Sequence, residues 1–181
     1  MFAKEEGVPV DSAALAARIK AAVADVVGRQ VAAGLDVIDD GEYSKPSYAT
    51  YVKDRLSGFG GESHPLTYRD LVDFPGMARR VFGDPGRARR KTPACTGPIA
   101  VRDAAAAVTD VANLQAAGAA AGRERFLTAA SPGVISLFFK NDHYPTHEAY
   151  LAAFEDAGLR LVRHSGFGQP NDRLYLLAPA G

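Results

Sequence analysis

The spacing of apolar residues near the start of the chain predicts an amphipathic helix over residues 11–33. Apolar side chains recur three and four positions apart along one face of that segment, as Leu15, Ile19, Val23, Val26 and Val27. Asp11 or Ser12 is expected to cap its first turn, and Gly34 suits the left-handed residue that ends a helix. Residues 35–39 then predict a short buried strand. Helix, glycine and strand in this order are typical of an α/β layered fold.

Helix and strand patterns alternate over the next hundred residues. Pro46 is expected to open a second helix that runs to about Leu56, because the missing N–H of proline costs nothing in a first helical turn. Residues 57–93 are rich in glycine and proline and predict an irregular insertion. Beyond the insertion, the pattern predicts a strand at 94–96, an alanine-rich helix at 101–121, a strand at 125–130 and a helix at about 146–157. This alternation predicts parallel strands joined by helical crossovers.

The last residues follow a different pattern. Segments 159–163 and 173–177 are strand-like and flank a polar turn that contains glycine, proline and asparagine, which predicts an antiparallel hairpin. We therefore divide the chain into two parts. Residues 1–157 form the alternating α/β part with its insertion at 57–93, and residues 158–181 form an atypical tail.

The composition excludes several classes of protein. With 181 residues the chain is about one domain. Its 21 basic residues balance 21 acidic ones, which argues against a general nucleic-acid binder. No apolar run approaches the ~20 residues that span a bilayer, and the first residues carry no secretory signal. We therefore expect a soluble, cytoplasmic protein with no membrane or nucleic-acid partner.

Two polar segments follow predicted strands and are candidates for chemistry. Asp39, Asp40 and Glu42 follow the first strand, where acidic side chains could bind an amine, hold a metal ion or act as a base. A solvated turn is the alternative. The segment 128–133 follows a later strand, and its small residues, Ser131 among them, would let a ligand approach the backbone. A tight strand-to-helix turn is the alternative there.

A basic segment covers residues 79–91, where six basic residues accompany one acidic residue. The segment is a candidate dock for a polyanionic ligand tail, such as phosphates or a polyglutamate. The side chains that would bind this tail are Arg87, Arg89 and Arg90. A solvated loop is the alternative.

Metal-ligating residues are sparse. His143 and His147 are four positions apart, as helical metal ligands can be, but a proline between them interrupts a helix, so we expect surface or packing histidines. The one cysteine, Cys95, excludes an internal disulfide and any multi-cysteine zinc cluster made by this chain alone, and we expect it to be buried in a strand. The residues themselves therefore predict neither a catalytic group nor a metal site in this chain.

Three segments together resemble the cobalamin-independent methionine synthase family. The first runs from residue 26 to 59 and contains Gly-Leu-Asp-Val-Ile-Asp-Asp-Gly-Glu at 34–42. The others are Thr-Pro-Ala-Cys-Thr-Gly-Pro-Ile at 92–99 and the stretch 126–139, which begins Phe-Leu-Thr-Ala-Ala-Ser-Pro-Gly. They occur in the order found in the family, and the resemblance covers residues 8–151. More narrowly, it is to the single-barrel, methionine-synthase-like proteins of bacteria.

The resemblance implies a TIM-type barrel, shared with uroporphyrinogen decarboxylase, and methyl transfer to a thiol that zinc activates. In complete methionine synthases the donor is a methyltetrahydrofolate polyglutamate, the acceptor is homocysteine, and no cobalamin takes part. Glu42 matches the family's glutamate that binds the amino group of homocysteine, a role that suits an anionic acceptor. Together with the strand-end argument, this makes Glu42, Asp40 and Ser131 the expected substrate-binding residues.

The chain departs from the family where zinc is bound. The family holds zinc with a His-x-Cys pair, a glutamate and a distant cysteine in the second half of the barrel, and this chain has no such set. The family's early strand would precede Met1, and the hairpin-like tail stands where an acidic motif is expected near 165–175. Because a barrel needs at least ~200 residues, we expect a partial barrel, roughly the first half, truncated and inactive in methyl transfer.

Two alternatives stay open at this point. One is a related thiol transferase, such as an epoxyalkane:coenzyme M transferase, which shares the zinc chemistry and differs in its substrate pocket. The other is a non-catalytic half barrel that a partner chain or a second copy completes, because open parallel edges and an uncovered face favour association.

Overall fold

The computed structural model describes residues 2–5, 7–47, 49–63, 71–83, 92–119, 122–157, 159–166 and 173–179. In these ranges the chain is a mixed α/β protein with three two-stranded sheets. The elements, in chain order, are α1 (Phe2–Glu5), α2 (Ser12–Ala32), β1 (Val37–Ile38), α3 (Val52–Arg55), β2 (Phe59–Gly60), α4 (Pro75–Phe82), β3 (Ala94–Cys95), α5 (Ala104–Gly118), β4 (Glu124–Arg125), α6 (Pro132–Phe138), α7 (His147–Asp156), β5 (Leu159–Gly166) and β6 (Arg173–Pro179).

Two helices and two strands form what we call the parallel unit: α2, β1, α5 and β4. β1 pairs with β4 in parallel, with Val37 opposite Glu124 and Ile38 opposite Arg125. α2 packs against α5. The apolar side chains buried in this unit form the small core, which consists of Val23, Val27, Ile38 and Leu114. The parallel pairing of β1 with β4 confirms the predicted α/β alternation for this part of the chain.

A larger group of buried side chains, the large core, joins α3, β3, α6 and α7. Its members are Val52, Leu56, Cys95, Ile99, Ala130, Ile135, Phe139, Tyr150, Ala153 and Phe154. The Tyr150 hydroxyl donates to the Phe139 carbonyl at 3.1 Å, so the one polar atom of that aromatic side chain is satisfied inside the core. Cys95 is fully buried in β3, which confirms the prediction of a buried strand cysteine.

The three long helices confirm the sequence predictions, because local signals determine them. α2, α5 and α7 lie within the predicted segments and differ from them by one to three residues at each end. Asp11, Asp103 and Thr146 each cap the following helix by accepting backbone N–H groups of the first turn. Of the two expected placements, surface or packing, His143 and His147 have the surface one.

The helix predicted from Pro46 to Leu56 is wrong in its first half. Residues 49–51 form turns, and the helix begins only at Val52. The hydroxyl of Ser47 accepts from the backbone N–H groups of Ala49 (3.3 Å) and Thr50 (3.4 Å). A side-chain acceptor of this kind offers the backbone an alternative to helical hydrogen bonds. The segment therefore forms turns first, and the helix begins three residues later, at Val52.

The prediction that residues 57–93 are irregular is also wrong in part. The segment contains β2, which pairs with β3 in antiparallel fashion, and α4, which Pro75 opens at its first position. Gly58 has a φ of 92°, and an added Cβ would meet the carbonyl oxygens of Gly97 and Pro98 at 2.7 Å. The glycine therefore permits the close approach of the β2 and β3 segments.

The strand predicted over 125–130 is much shorter in the structure. The prediction that the strands pair in parallel is also wrong for β2 and β3. β4 ends at Arg125, and only Phe126 N–H continues toward β1, donating to the Ile38 carbonyl at 3.1 Å. Beyond that point side chains from elsewhere take the backbone groups that a neighbouring strand would use. β2 and β3 pair in antiparallel fashion, and the Gly58 carbonyl beside β2 accepts from the N–H groups of Thr96 and Gly97 that follow β3.

The tail forms the predicted antiparallel hairpin. β5 and β6 pair from Leu159 opposite Pro179 to Gly166 opposite Arg173, with a register shift between Leu161 and Arg163. Among the described residues, no helix has the length and apolar character needed to cross a bilayer.

Candidate ligand site at the carboxyl ends of β1 and β4

The candidate site lies where the two parallel strands end. Residues 39–45 leave β1 and residues 126–131 leave β4, so both segments emerge at the same edge of the sheet. This edge is where ligands bind in open α/β sheets, because the loops there converge and the sheet holds them in place. The structure thus brings together the two segments that the sequence marked as strand ends.

The turn after β1 holds Glu42 in an uncommon conformation. Its φ is 56°, in the left-handed region that few non-glycine residues adopt. The carboxylate of Asp40 accepts from Glu42 N–H at 3.0 Å, and that of Asp39 accepts from Gly41 N–H at 2.9 Å. A backbone outlier of this kind persists only where the surroundings fix it, and such positions cluster at functional sites.

Gln30 of α2 fixes the start of the same turn. Its Nε2 donates to both the backbone oxygen and Oδ1 of Asp39 at 3.1 Å, and its Oε1 accepts from Asp39 N–H at 2.9 Å. The turn is therefore anchored to the long helix of the parallel unit by a side chain that satisfies both backbone groups of one residue.

The Glu42 side chain reaches across to the β4 exit. The hydroxyl of Thr128 donates a short hydrogen bond to Glu42 Oε1. Lys45 Nζ donates to the Thr128 carbonyl at 2.7 Å and lies 3.4 Å from its Oγ1. Lys45 N–H also donates to the Glu42 carbonyl at 2.9 Å, so Glu42 and Lys45 belong to one tight turn. A carboxylate, a hydroxyl and an ammonium group thus meet at this edge of the sheet.

Tyr51 supports this cluster from the side of the large core. Its hydroxyl accepts from Ala130 N–H at 3.1 Å, and Lys45 Nζ lies 5.6 Å from its ring centroid. Burial raises the pKa of Tyr51, against the opposing effects of the Ala130 hydrogen bond and the Arg55 charge. The phenol therefore remains a neutral partner of the β4 exit at ordinary pH.

The other predicted site residues lie as follows. Asp40 is 1% exposed and fixes the Glu42 turn. The Ser131 hydroxyl accepts from Val134 N–H at 3.2 Å and so caps α6. Ser131 is the last residue of the segment that leaves β4. Ligand binding by Asp40 and Ser131 stays a prediction. Arg87, Arg89 and Arg90 lie outside the described residues.

Lys45, Thr128 and Tyr51 are the site residues that sequence reasoning missed. Thr128 stands in the segment recognised as a strand end, but its partner could not be identified from one sequence. Lys45 follows Glu42 by three positions, the spacing that a turn closes. That spacing was the one local signal for it.

A cavity lies behind Tyr51, between α2, α5 and the segment 44–55. Its volume is about 550 Å³, within the range of small-molecule pockets. The Arg55–Asp110 ion pair, 2.9 Å long and largely buried, lies in its wall. Among the described residues, the buried Ser44 hydroxyl of this wall has no hydrogen-bond partner.

The zinc that the family resemblance implies would need at least three ligating side chains grouped together. Within the described ranges, no three His, Cys, Asp or Glu side chains are grouped in a way that could hold a metal ion. The Cys95 thiol lies 3.4 Å from the Gly97 carbonyl inside the large core. Burial raises the pKa of this thiol, which disfavours the thiolate that zinc requires. The described residues do not fit a zinc site.

Comparison with known proteins gives no relative. No protein-family model, no curated protein and no solved structure matches the chain.

Proposed function

We propose that this chain is part of a methyltransferase that resembles the cobalamin-independent methionine synthases, and that its own contribution is binding the thiol substrate, homocysteine. In the proposed reaction a methyl group passes from a methyltetrahydrofolate donor to the homocysteine thiol. Zinc, when bound, would lower the pKa of that thiol. The zinc ligands are proposed to come from outside these residues, so the chain alone binds the amino acid without methylating it.

The observation that carries this proposal is the position of the Glu42 carboxylate. It lies half-buried at the carboxyl ends of β1 and β4, and Thr128 engages one of its two oxygens. A carboxylate has about four acceptor positions, so the side chain can also accept from an ammonium group. A charge-assisted hydrogen bond of that kind is roughly twice as strong as a neutral one.

The same carboxylate favours homocysteine over coenzyme M as the thiol. Coenzyme M carries a sulfonate and no amine, so Glu42 would offer it no hydrogen bond and would repel its charge. A site built on Glu42 therefore discriminates for the amino group, and an epoxyalkane:coenzyme M transferase is the less favoured member of this class.

Titration calorimetry with the purified chain tests the proposal. We expect L-homocysteine to bind, and coenzyme M to bind at least tenfold more weakly. Coenzyme M lacks the hydrogen bond from an amino group to Glu42, which is worth about 1.5–3 kcal/mol, and about 1.4 kcal/mol corresponds to a factor of ten in affinity. Glu42→Gln should weaken homocysteine binding by a similar factor. Glu155→Gln, at an exposed position of α7, is the matched control and should leave it unchanged. Equal binding of homocysteine to the Glu42→Gln variant would contradict the proposal.

A non-catalytic half barrel that a second chain completes is the other candidate, and one observation favours it. Val37 of β1 is 44% exposed, and Phe126, which follows β4 and donates its N–H to the Ile38 carbonyl of β1, is 47% exposed. Apolar side chains on a narrow sheet are typical of a face that another element covers. Sedimentation of the purified chain tests this: a monomer that also unfolds cooperatively would contradict it.

A further inference from the structure

We propose that Lys45 is a positioning residue that acts through the hydroxyl of Thr128 to aim the Glu42 carboxylate at the amino group of the thiol substrate. The inference deepens the proposed function and rests on it. Lys45 itself does not touch the substrate. It controls the direction of the hydrogen bond that Thr128 donates to the substrate-binding carboxylate.

The chemistry of the three groups sets the direction of that hydrogen bond. An ammonium group can only donate, and a hydroxyl has one proton to give. Lys45 Nζ holds the Thr128 carbonyl at 2.7 Å and points positive charge at Oγ1 from 3.4 Å. The Thr128 hydroxyl proton is therefore turned away from Lys45 and toward Glu42 Oε1, where the short hydrogen bond forms.

The backbone and the aromatic neighbour hold Lys45 where this effect requires it. Lys45 N–H donates to the Glu42 carbonyl at 2.9 Å, so the two side chains leave the same turn at a fixed separation. The Lys45 ammonium also lies 5.6 Å from the Tyr51 ring centroid, an arrangement that favours a cation. The Tyr51 hydroxyl in turn holds the backbone two residues beyond Thr128.

Positioning of Glu42 by Lys45 and direct binding of the substrate by Lys45 predict different effects of losing Lys45. If Lys45 acts on Glu42, its loss must weaken recognition of the substrate amine and leave the rest of the substrate unaffected. If Lys45 instead binds the substrate carboxylate, its loss must weaken every carboxylate-bearing ligand alike. The two ligands that make the distinction are L-homocysteine and 4-sulfanylbutanoate, which is homocysteine without its amino group.

Titration calorimetry of Lys45→Met with both ligands is the experiment. We expect the wild-type preference for homocysteine to fall by about tenfold in the variant, because the Glu42 carboxylate is then no longer aligned for a charge-assisted hydrogen bond with the substrate amino group. Binding of 4-sulfanylbutanoate should not change, and Lys45→Arg should restore part of the preference. Lys140→Met, at an exposed position outside the site, is the control. An unchanged preference, or equal weakening of both ligands, would overturn the inference.

A thermal unfolding cycle tests the same inference without any ligand. Glu42→Gln and Lys45→Met are combined in the native background and again in Thr128→Val. We expect their Tm shifts to depart from additivity by about 2 °C or more with Thr128 present, and to be additive with valine. Additive shifts in both backgrounds would disprove the connection through Thr128. If neither ligand binds the native chain, the proposed function fails, and this cycle alone decides whether Thr128 couples the two side chains.

Discussion

The large core and the small core stabilise neighbouring parts of this chain in different ways. The large core packs aromatic and aliphatic side chains from four elements, whereas the small core has four aliphatic side chains in the parallel unit. The candidate site lies on the side with less apolar burial, and it is held by side-chain hydrogen bonds from Gln30, Asp39, Lys45 and Tyr51. Regions with few buried apolar contacts open at lower free energy, so the site depends more on its polar contacts than on hydrophobic packing.

The largest expected effect comes from truncation within the large core. Phe154 is fully buried against Tyr150, with ring centroids 5.1 Å apart. Phe154→Ala should lower the free energy of unfolding by about 3–5 kcal/mol. Val23→Ala in the small core removes two methyl groups and should cost about 2 kcal/mol. Urea denaturation measures both, and equal costs would show that the two cores contribute alike.

The next effect concerns the ion pair that links the two regions. Arg55 of α3 and Asp110 of α5 are 2.9 Å apart, with side chains 18% and 10% exposed. Arg55→Met leaves the Asp110 carboxylate largely buried without its partner, and we expect a loss of about 2–3 kcal/mol. Arg29→Met breaks a surface pair with Asp25 within α2 and should cost under about 0.5 kcal/mol. Similar losses in the two variants would show that Arg55 does not tie α3 to α5.

A smaller effect is a dependence of stability on pH, which the large core should cause and the small core should not. Burial raises the pKa of the Cys95 thiol and of the Tyr150 phenol, both in the large core, whereas the small core has no ionisable member. The unfolded thiol loses its proton first, from about pH 8.5. The folded state then holds more protons, so stability falls as the pH rises. Between pH 7 and pH 10 the Tm of Cys95→Ala should drop less than the Tm of the native chain. An identical drop in both would contradict a contribution of the Cys95 thiol to the pH dependence.

The smallest effect concerns two helix caps, one for each core. Asp11→Ala removes the cap of α2, and Thr146→Ala removes the cap of α7. Each should cost about 1 kcal/mol in urea denaturation. The double variant should lose the sum, because distant sites without shared partners act independently. A clear departure from the sum would mean that the two regions are coupled more tightly than the cores suggest.

The sequence predicted the elements whose signals are local. α2, α5 and α7 combine regular apolar spacing or helix-favouring composition with a capping side chain, and all three lie where they were expected. The hairpin at the end of the chain also follows from its own pattern. The failures at Pro46 and at 127–130 share a cause: side chains compete for backbone groups there, and those of Tyr51 and Lys45 come from about 80 positions away.

The candidate site was predictable only in outline. Glu42 is predicted to bind substrate from its place after a buried strand and from the family resemblance, and residues 128–133 are predicted to follow a second strand. That these two segments meet depends on the parallel pairing of β1 with β4, a contact between positions far apart in the chain. The Lys45–Thr128–Glu42 cluster follows from that pairing, so no local pattern could reveal it.

The hydrogen bonds of Gln30 affect which backbone groups beside β1 can pair with another strand. Backbone groups of successive residues in an extended segment point to opposite sides, and Ile38 already faces β4 through Phe126. The N–H and carbonyl of Asp39 therefore face the other side, where the Gln30 amide occupies both. The side chain imitates a neighbouring strand for one residue. Within the described ranges β4 is the one strand that pairs with β1, and a strand added on the other side would have to displace the Gln30 amide.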